Sequence, residues 1–227
     1  MDYIIKILTD MVTIFGKYWQ NFLIDGLINT LYLSLIAVFF GTVLGAVLTI
    51  TKMSKIKPLG WLVTAFVEII RGTPMLLQLY IGVFIVPLIF PFLGTSEFVS
   101  VAVTLILNSA AYVSEIIRSG IEAVDKGQTE AARSLGLNSA TTMLDIVLPQ
   151  AVKNILPALG NEFITIIKET SLAATFFVGE LMTVYKLVVG NTHATIACFL
   201  IVGAIYFVVN FILSKLLKLV ERKMKHA

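Results

Sequence analysis

The sequence predicts an all-α integral membrane protein with five transmembrane helices, its N-terminus outside and its C-terminus inside. Three observations predict it. First, 58% of the 227 residues are hydrophobic and only 14% are charged, more apolar surface than a soluble domain can hide. Second, apolar runs long enough to cross a bilayer at ~1.5 Å per residue recur along the whole chain. Third, Lys and Arg gather in three segments between those runs, the pattern of cytoplasmic loops. The net charge of +3 therefore reflects membrane orientation and gives no sign of nucleic-acid binding.

Residues 1–20 are amphipathic. Ile4, Leu8, Met11, Phe15 and Trp19 recur at helical spacing, with Lys6, Asp10 and Lys17 between them. That is too charged to span, so the stretch is read as a helix lying in the interface, with Tyr18 and Trp19 at headgroup level. It lacks the basic start, compact apolar core and small-residue site of a cleavable signal peptide. Asp25 is placed to cap the first span, residues 26–50, in which Gly41 and Gly45 allow close helix contact. Lys52, Lys55 and Lys57 mark the first inner loop.

The second span, residues 58–90, is interrupted at Gly72-Thr73-Pro74, where proline removes a backbone donor. Residues 91–97 form a short outer loop without Lys or Arg. The third span, 98–120, carries Glu115 and Arg118 three apart on one face, positions that can pair. A polar loop, 122–150, follows, with Lys126 and Arg133 in it and Lys153 just beyond. The fourth span, 155–189, is interrupted near Lys168-Glu169-Thr170-Ser171. Residues 190–192 turn outside, and 194–217 form the fifth span. Residues 218–227 are a basic inner tail containing Lys218, Arg222, Lys223 and Lys225. No repeat, low-complexity linker or second domain is evident.

The 122–150 loop is the longest polar interruption. Thr129 is placed to cap a short helix, with Glu130 in its first turn and Gly136 at its end. Asn138 or Ser139 can cap a second short helix before Pro149. Small residues Ala131, Ala132 and Gly136 suit close approach by another protein.

Glu130-Ala131-Ala132, then Gly136, then Ile146-x-Leu148-Pro149 resembles the EAA loop of permease subunits of ATP-binding-cassette importers. Arg71-Gly72-Thr73-Pro74 and Lys168-Glu169-Thr170-Ser171-Leu172 resemble signatures of the polar amino-acid branch of that family. The likeness runs from about residue 26 to 217, nearly the whole chain. It implies a cell-membrane transport subunit that works as a pair, with a second copy of itself or a homologous permease. Two cytoplasmic ATPase subunits and an extracytoplasmic binding protein complete the assembly it implies. On that reading Glu130, Ala131, Ala132, Gly136 and Leu137 couple to the ATPase, which carries ATP and Mg; this chain carries no cofactor.

The residues agree with a non-enzymatic subunit. No G-x-x-x-x-G-K-S/T phosphate loop is present, no Cys/His set has metal-ligand spacing, and His193 and His226 are isolated. Cys198, the single cysteine, lies in an apolar run and reads as a small hydrophobe. Ionisable residues inside spans face a cavity or a partner. Counting along the helix from Pro58 places Glu68 about 15 Å deep, with Arg71 one turn on and able to pair with it. Asn161 and Glu162 fall at similar depth, followed by Thr165 and Lys168.

Two interrupted crossings with polar groups at one depth point to a substrate site. Backbone groups freed at Gly72-Thr73 and Thr170-Ser171 can contribute to it. Candidate substrate residues are Glu68, Asn161, Glu162 and Thr165, which suit an amino acid, basic ones included. Arg71, Gly72, Pro74, Lys168 and Glu169 are candidate structural residues of the ion pair and the breaks. Two alternatives stay open: an ion-coupled secondary transporter with these acids as ion sites, and a non-transporting channel or scaffold.

Overall fold

The computed structural model describes residues 1–54, 56–91 and 96–226, the last two without their side chains. Lys55, residues 92–95 of the expected outer loop, and the side chains of Lys225 and His226 lie outside the described residues. The described residues are helical nearly throughout. α1 (Asp2–Gln20) runs through a π-helical stretch (Asn21–Leu27) into α2 (Ile28–Lys52). α3 (Lys57–Gly72), α4 (Met75–Tyr80), a π-helical stretch (Ile81–Ile85) and α5 (Val86–Ile89) follow. α6 (Glu97–Glu122) leads to α7 (Lys126–Ser134) and α8 (Ser139–Thr141). A π-helical stretch (Thr142–Val147) joins α8 to α9 (Leu148–Glu169). A 3₁₀ stretch (Thr170–Phe176), α10 (Leu181–Thr192) and α11 (Thr195–His226) complete the chain.

Among the described residues, three helical runs are long and apolar enough to cross a membrane, or up to five if each of two bent pairs counts as one. The first run is continuous from Asp2 to Lys52, 51 residues. At ~1.5 Å per residue that is more than twice the hydrocarbon thickness, so part of it lies off the bilayer normal. The change of direction falls at Tyr18, whose φ of −116° and ψ of 16° are non-helical. The expectation of a fresh helix start capped by Asp25 is therefore corrected: the chain stays helical there. Asp25 instead accepts a hydrogen bond from Asn21 at 3.0 Å.

The core is the α2–α6 pair. A Cβ on Gly41 would stand 2.7 Å from the Ser109 Cβ, and one on Gly45 would stand 2.9 Å from the Ala110 carbonyl. Hydrogen atoms at both places let the backbones meet, as the spacing predicted. The Thr49 hydroxyl, fully enclosed, donates to carbonyls of both helices, Gly45 and Ser114, at 2.9 Å each. Leu33, Leu79, Leu105, Ile166 and Ala173 join α2, α4, α6, α9 and the 3₁₀ stretch into one apolar cluster.

The bend between α3 and the α4–α5 segment is 111°, far sharper than a kink. Pro74 is extended at ψ 137°, and Thr73 before it is extended too. The expectation of one interrupted crossing over 58–90 meets a segment that turns back past a right angle. The break in the fourth segment is gentler, 47°. α9 ends at Glu169 as expected, but the turn itself comes later, at Phe177 (φ 54°) and Gly179 (φ 78°). The expected turn at 190–192 is still helical; the left-handed residue there is His193.

Candidate functional site

The polar hairpin is built from three caps. The Asp125 carboxylate accepts from the Gly127 N–H at 2.6 Å, so α7 starts at Lys126. Thr129 and Glu130 are thus inside the helix, which corrects the expected cap. Asp125 wins because it is the earlier acceptor and its own backbone, at ψ 129°, is non-helical, the geometry a cap needs. At the other end Gly136 has φ +85°. The Leu137 N–H reaches the Ala132 carbonyl at 3.1 Å and the Gly136 N–H reaches Arg133 at 3.0 Å, a paired closure that requires a left-handed residue. The Arg133 guanidinium adds a 2.6 Å bond to the Leu137 carbonyl.

Asn138 then caps α8, its Oδ1 accepting from Thr141 at 2.9 Å. The second helix does not stop before Pro149. It continues through the π-helical stretch into α9, with Pro149 the second residue of α9.

The hairpin presents a definite surface. Ala132 is buried against the Thr142–Val147 stretch, so it packs the hairpin. Glu130, Ala131 and Gly136 are exposed, and Leu137 is half-buried. Leu135 stands at the tip, 83% exposed, and Leu144 is exposed on the next turn. Nothing lies within 4 Å of where a Gly136 Cβ would be. The glycine is needed for its backbone angle, and the space around it is free.

The intramembrane charges distribute differently from the expectation. Arg71 does not pair with Glu68. Its guanidinium lies 3.6 Å from Glu115 and over the Tyr112 ring, 5.6 Å from the centroid. Glu115 also holds Lys52 and Arg118, each at 2.8 Å, and Arg118 reaches on to Glu122. Arg71 thus sits beside the end of α6, about two turns from Glu122. Glu68 is exposed, forms no ion pair among the described residues, and lines a shallow depression with Gly72 and Thr73.

The broken second segment is closed by a residue that sequence reasoning passed over. The Gln78 amide nitrogen lies 2.7 Å from the Ile70 carbonyl and 3.0 Å from both the carbonyl and hydroxyl of Thr73. Its own oxygen accepts from Asn108 of α6 at 2.8 Å. The Thr73 hydroxyl donates to Ile69 at 2.8 Å. The Ile69, Ile70 and Thr73 carbonyls at the break are therefore taken up inside the chain. At the other break, the Thr170 and Ser171 hydroxyls bond back to the Ile167 and Lys168 carbonyls. A glutamine in an apolar run, four residues past Pro74, was the available signal.

Glu180 was missed too. It is wholly buried and caps α10, accepting from the Met182 and Thr183 N–H groups at 2.8 and 2.7 Å and from the Tyr206 hydroxyl at 3.3 Å.

On α9, Asn154, Ala158, Asn161 and Thr165 follow at helical spacing on one stripe. Asn154 and Ala158 line a cavity of about 540 Å³ together with Arg71, Tyr112, Arg118 and Ser119. Asn161 is exposed and Thr165 half-buried further along. Glu162, next to Asn161 on α9, is only 7% exposed, and its Oε1 has no hydrogen-bond partner among the described residues. Lys168 is exposed and makes no ion pair with Glu162.

These features describe a helical protein with membrane-length apolar helices and an exposed polar hairpin. Residues 37–226 match the family described as the binding-protein-dependent transport system inner membrane component. The chain belongs to this family; it is a multi-pass cell-membrane transport subunit, and ATP hydrolysis is the work of a separate chain. Membership decides against the ion-coupled and scaffold alternatives.

Among relatives, the arginine transport system permease protein ArtQ of Bacillus subtilis (strain 168) is 42% identical over 204 residues, covering 90% of this chain and 93% of ArtQ. The putative glutamine transport system permease protein GlnP of Rickettsia conorii is 41% identical, covering 89% and 93%. A crystal structure of an amino acid ABC transporter with histidines superposes with a TM-score of 0.86 at 41% identity, over 92% of this chain and 96% of that one. The MetNI methionine ABC transporter in an inward-facing conformation, 19% identical with a TM-score of 0.67 over 88% and 96%, shares the fold.

Proposed function

We propose that this chain forms the translocation pathway of an ATP-driven importer for polar or basic amino acids. One observation carries the reading: full-length relatives at about 40% identity are named as arginine and glutamine permeases. In this reading the chain crosses the membrane five times, N-terminus outside and C-terminus inside. Residues 1–20 lie at the outer interface, 26–217 form the permease domain, and 218–227 extend into the cytoplasm. Two such subunits, identical or homologous, pair in the membrane. A binding protein delivers the amino acid from outside, and ATPases with bound ATP and Mg sit beneath.

The hairpin from Lys126 to Val147 is the seat of the ATPase, with Glu130, Ala131, Leu135 and Gly136 at the contact and Ala132 and Leu137 holding its shape. Closure of the ATPases moves that seat and, through α9 continuous with it, switches the pathway between inward and outward access. The continuity of α8, the π-helical stretch and α9 supports this, because displacement of the hairpin is passed directly into the helix that carries Asn161 and Thr165. Gly136→Leu forces a β-carbon into a left-handed backbone, which costs about 1–2 kcal/mol and turns the tip. We expect the variant to reach the membrane and bind its ATPase loosely, with ATP hydrolysis uncoupled from uptake. Gly136→Asn, tolerated at that angle, should transport nearly as the parent does. Equal ATP-driven uptake in vesicles by the Leu variant and the parent sinks the assignment.

Asn161 and Thr165 line the substrate pathway, with Glu68 and Glu162 as the acids that face a cationic amino acid. An exposed acid on an apolar surface such as Glu68 needs a water-filled path or a partner subunit. Glu68→Gln or Glu162→Gln should weaken binding of arginine to the purified permease pair about tenfold, one charge-assisted contact's worth. Unchanged calorimetric affinity in both variants returns the two acids to structural roles.

A further inference from the structure

Two cavities lie end to end between α1 and α11, away from the hairpin and the α9 stripe. The larger, about 630 Å³, is walled almost wholly by carbon, among others Met11, Phe15, Leu27, Ile205 and Val208. Gly16 forms part of its wall, and nothing stands within 4 Å of where a Cβ on Gly16 would be. The smaller cavity adjoins it one helical turn along both helices and contains Lys6, Asp10 and His193. Lys6 and Asp10 are four residues apart on α1, yet no ion pair joins them. An exposed cation and a half-buried anion, in no ion pair among the described residues, thus face one polar pocket above an apolar groove.

We propose that this double cavity binds a phospholipid with a zwitterionic, primary-ammonium headgroup. One acyl chain fills the groove between α1 and α11. The phosphate lies at Lys6, and the ammonium donates hydrogen bonds to the Asp10 carboxylate. The opposite charges on one pocket select a headgroup carrying both signs, and an anionic lipid would meet Asp10 with repulsion. A trimethylammonium headgroup has the charge but no N–H to donate. The groove cannot hold water, since its lining offers almost no polar partner. Hydrocarbon is the solvent that fits it.

The test is lipid retention by the full-length chain, reconstituted in bilayer discs containing phosphatidylethanolamine, phosphatidylcholine and phosphatidylglycerol in equal parts, then measured by native mass spectrometry. The expected result is phosphatidylethanolamine retained over phosphatidylcholine by roughly fivefold, the size of an exposed charge contact. Lys6→Gln with Asp10→Asn should abolish the preference while leaving total bound lipid unchanged. Gly16→Leu, which fills the groove, should lower retention of all three. Equal retention of the three lipids by the parent, a preference for phosphatidylglycerol, or a second copy of the chain cross-linked into the groove overturns the proposal. The surface pair Lys6 and Asp10 keeps the test decisive should Gly16→Leu fail to fold.

Discussion

Gln78 is one side chain holding four backbone or side-chain groups at the point where the second segment breaks. In an apolar surrounding each unpaired amide or carbonyl costs about 1–3 kcal/mol. Gln78→Leu keeps the volume and strands the Ile70 and Thr73 carbonyls and the Asn108 amide. A loss of roughly 2–5 kcal/mol is expected, read as a lower unfolding midpoint in detergent. An unchanged midpoint would mean the break is held by packing alone. Such residues were hard to see in the sequence. Glutamine at 78 has no motif around it, and its partners lie 5 to 30 positions away. The same distance explains Arg71. Glu68 was the nearest acid along the chain, whereas Glu115 is nearest in space. Glu115 with Arg118, three apart on a helix, was legible because the helix itself fixes that contact.

Elements were legible where their ends carry local chemistry. Gly136 and Asn138 mark the closing of α7 and the opening of α8, and both act as their backbone preferences require. The Gly41–Gly45 pair marked the close face of α2, since only small residues permit such contact. Gly45→Leu should therefore drive α2 from α6. With the Ala110 carbonyl 2.9 Å from the new Cβ, the change costs more than an ordinary overpacking of about 1–3 kcal/mol. Loss of the folded subunit from membranes is the expected outcome, seen by size-exclusion fluorescence; normal levels would contradict the close pairing.

The π-helical stretches had no such mark. At Asn21–Leu27 the chain widens and lays Gly26 against Leu181, where an added Cβ would be 3.0 Å from the Leu181 Cα. That contact joins residues far apart in sequence, so nothing local announced it. The bend after α3 was hidden for the same reason: its 111° depends on what α3 packs against, and proline shows only that the helix stops.

At the scale of the molecule, α2 and α6 form a rigid centre and the α8–α9 rod carries the hairpin. Residues on the rod reach from Asn138, at the hairpin, to Thr165, on the polar stripe. That joins the two ends an importer must couple. The central claim is that the ATPase rests on the hairpin tip. It is tested most directly by cross-linking from Leu135→Cys, with Cys198→Ala removing the only native thiol, in membranes containing the co-expressed ATPase. The account predicts a cross-link between this chain and the ATPase that forms at Leu135→Cys and not at Phe39→Cys, which is exposed on α2. A cross-link confined to this chain or to lipid, with none to the ATPase, would contradict it.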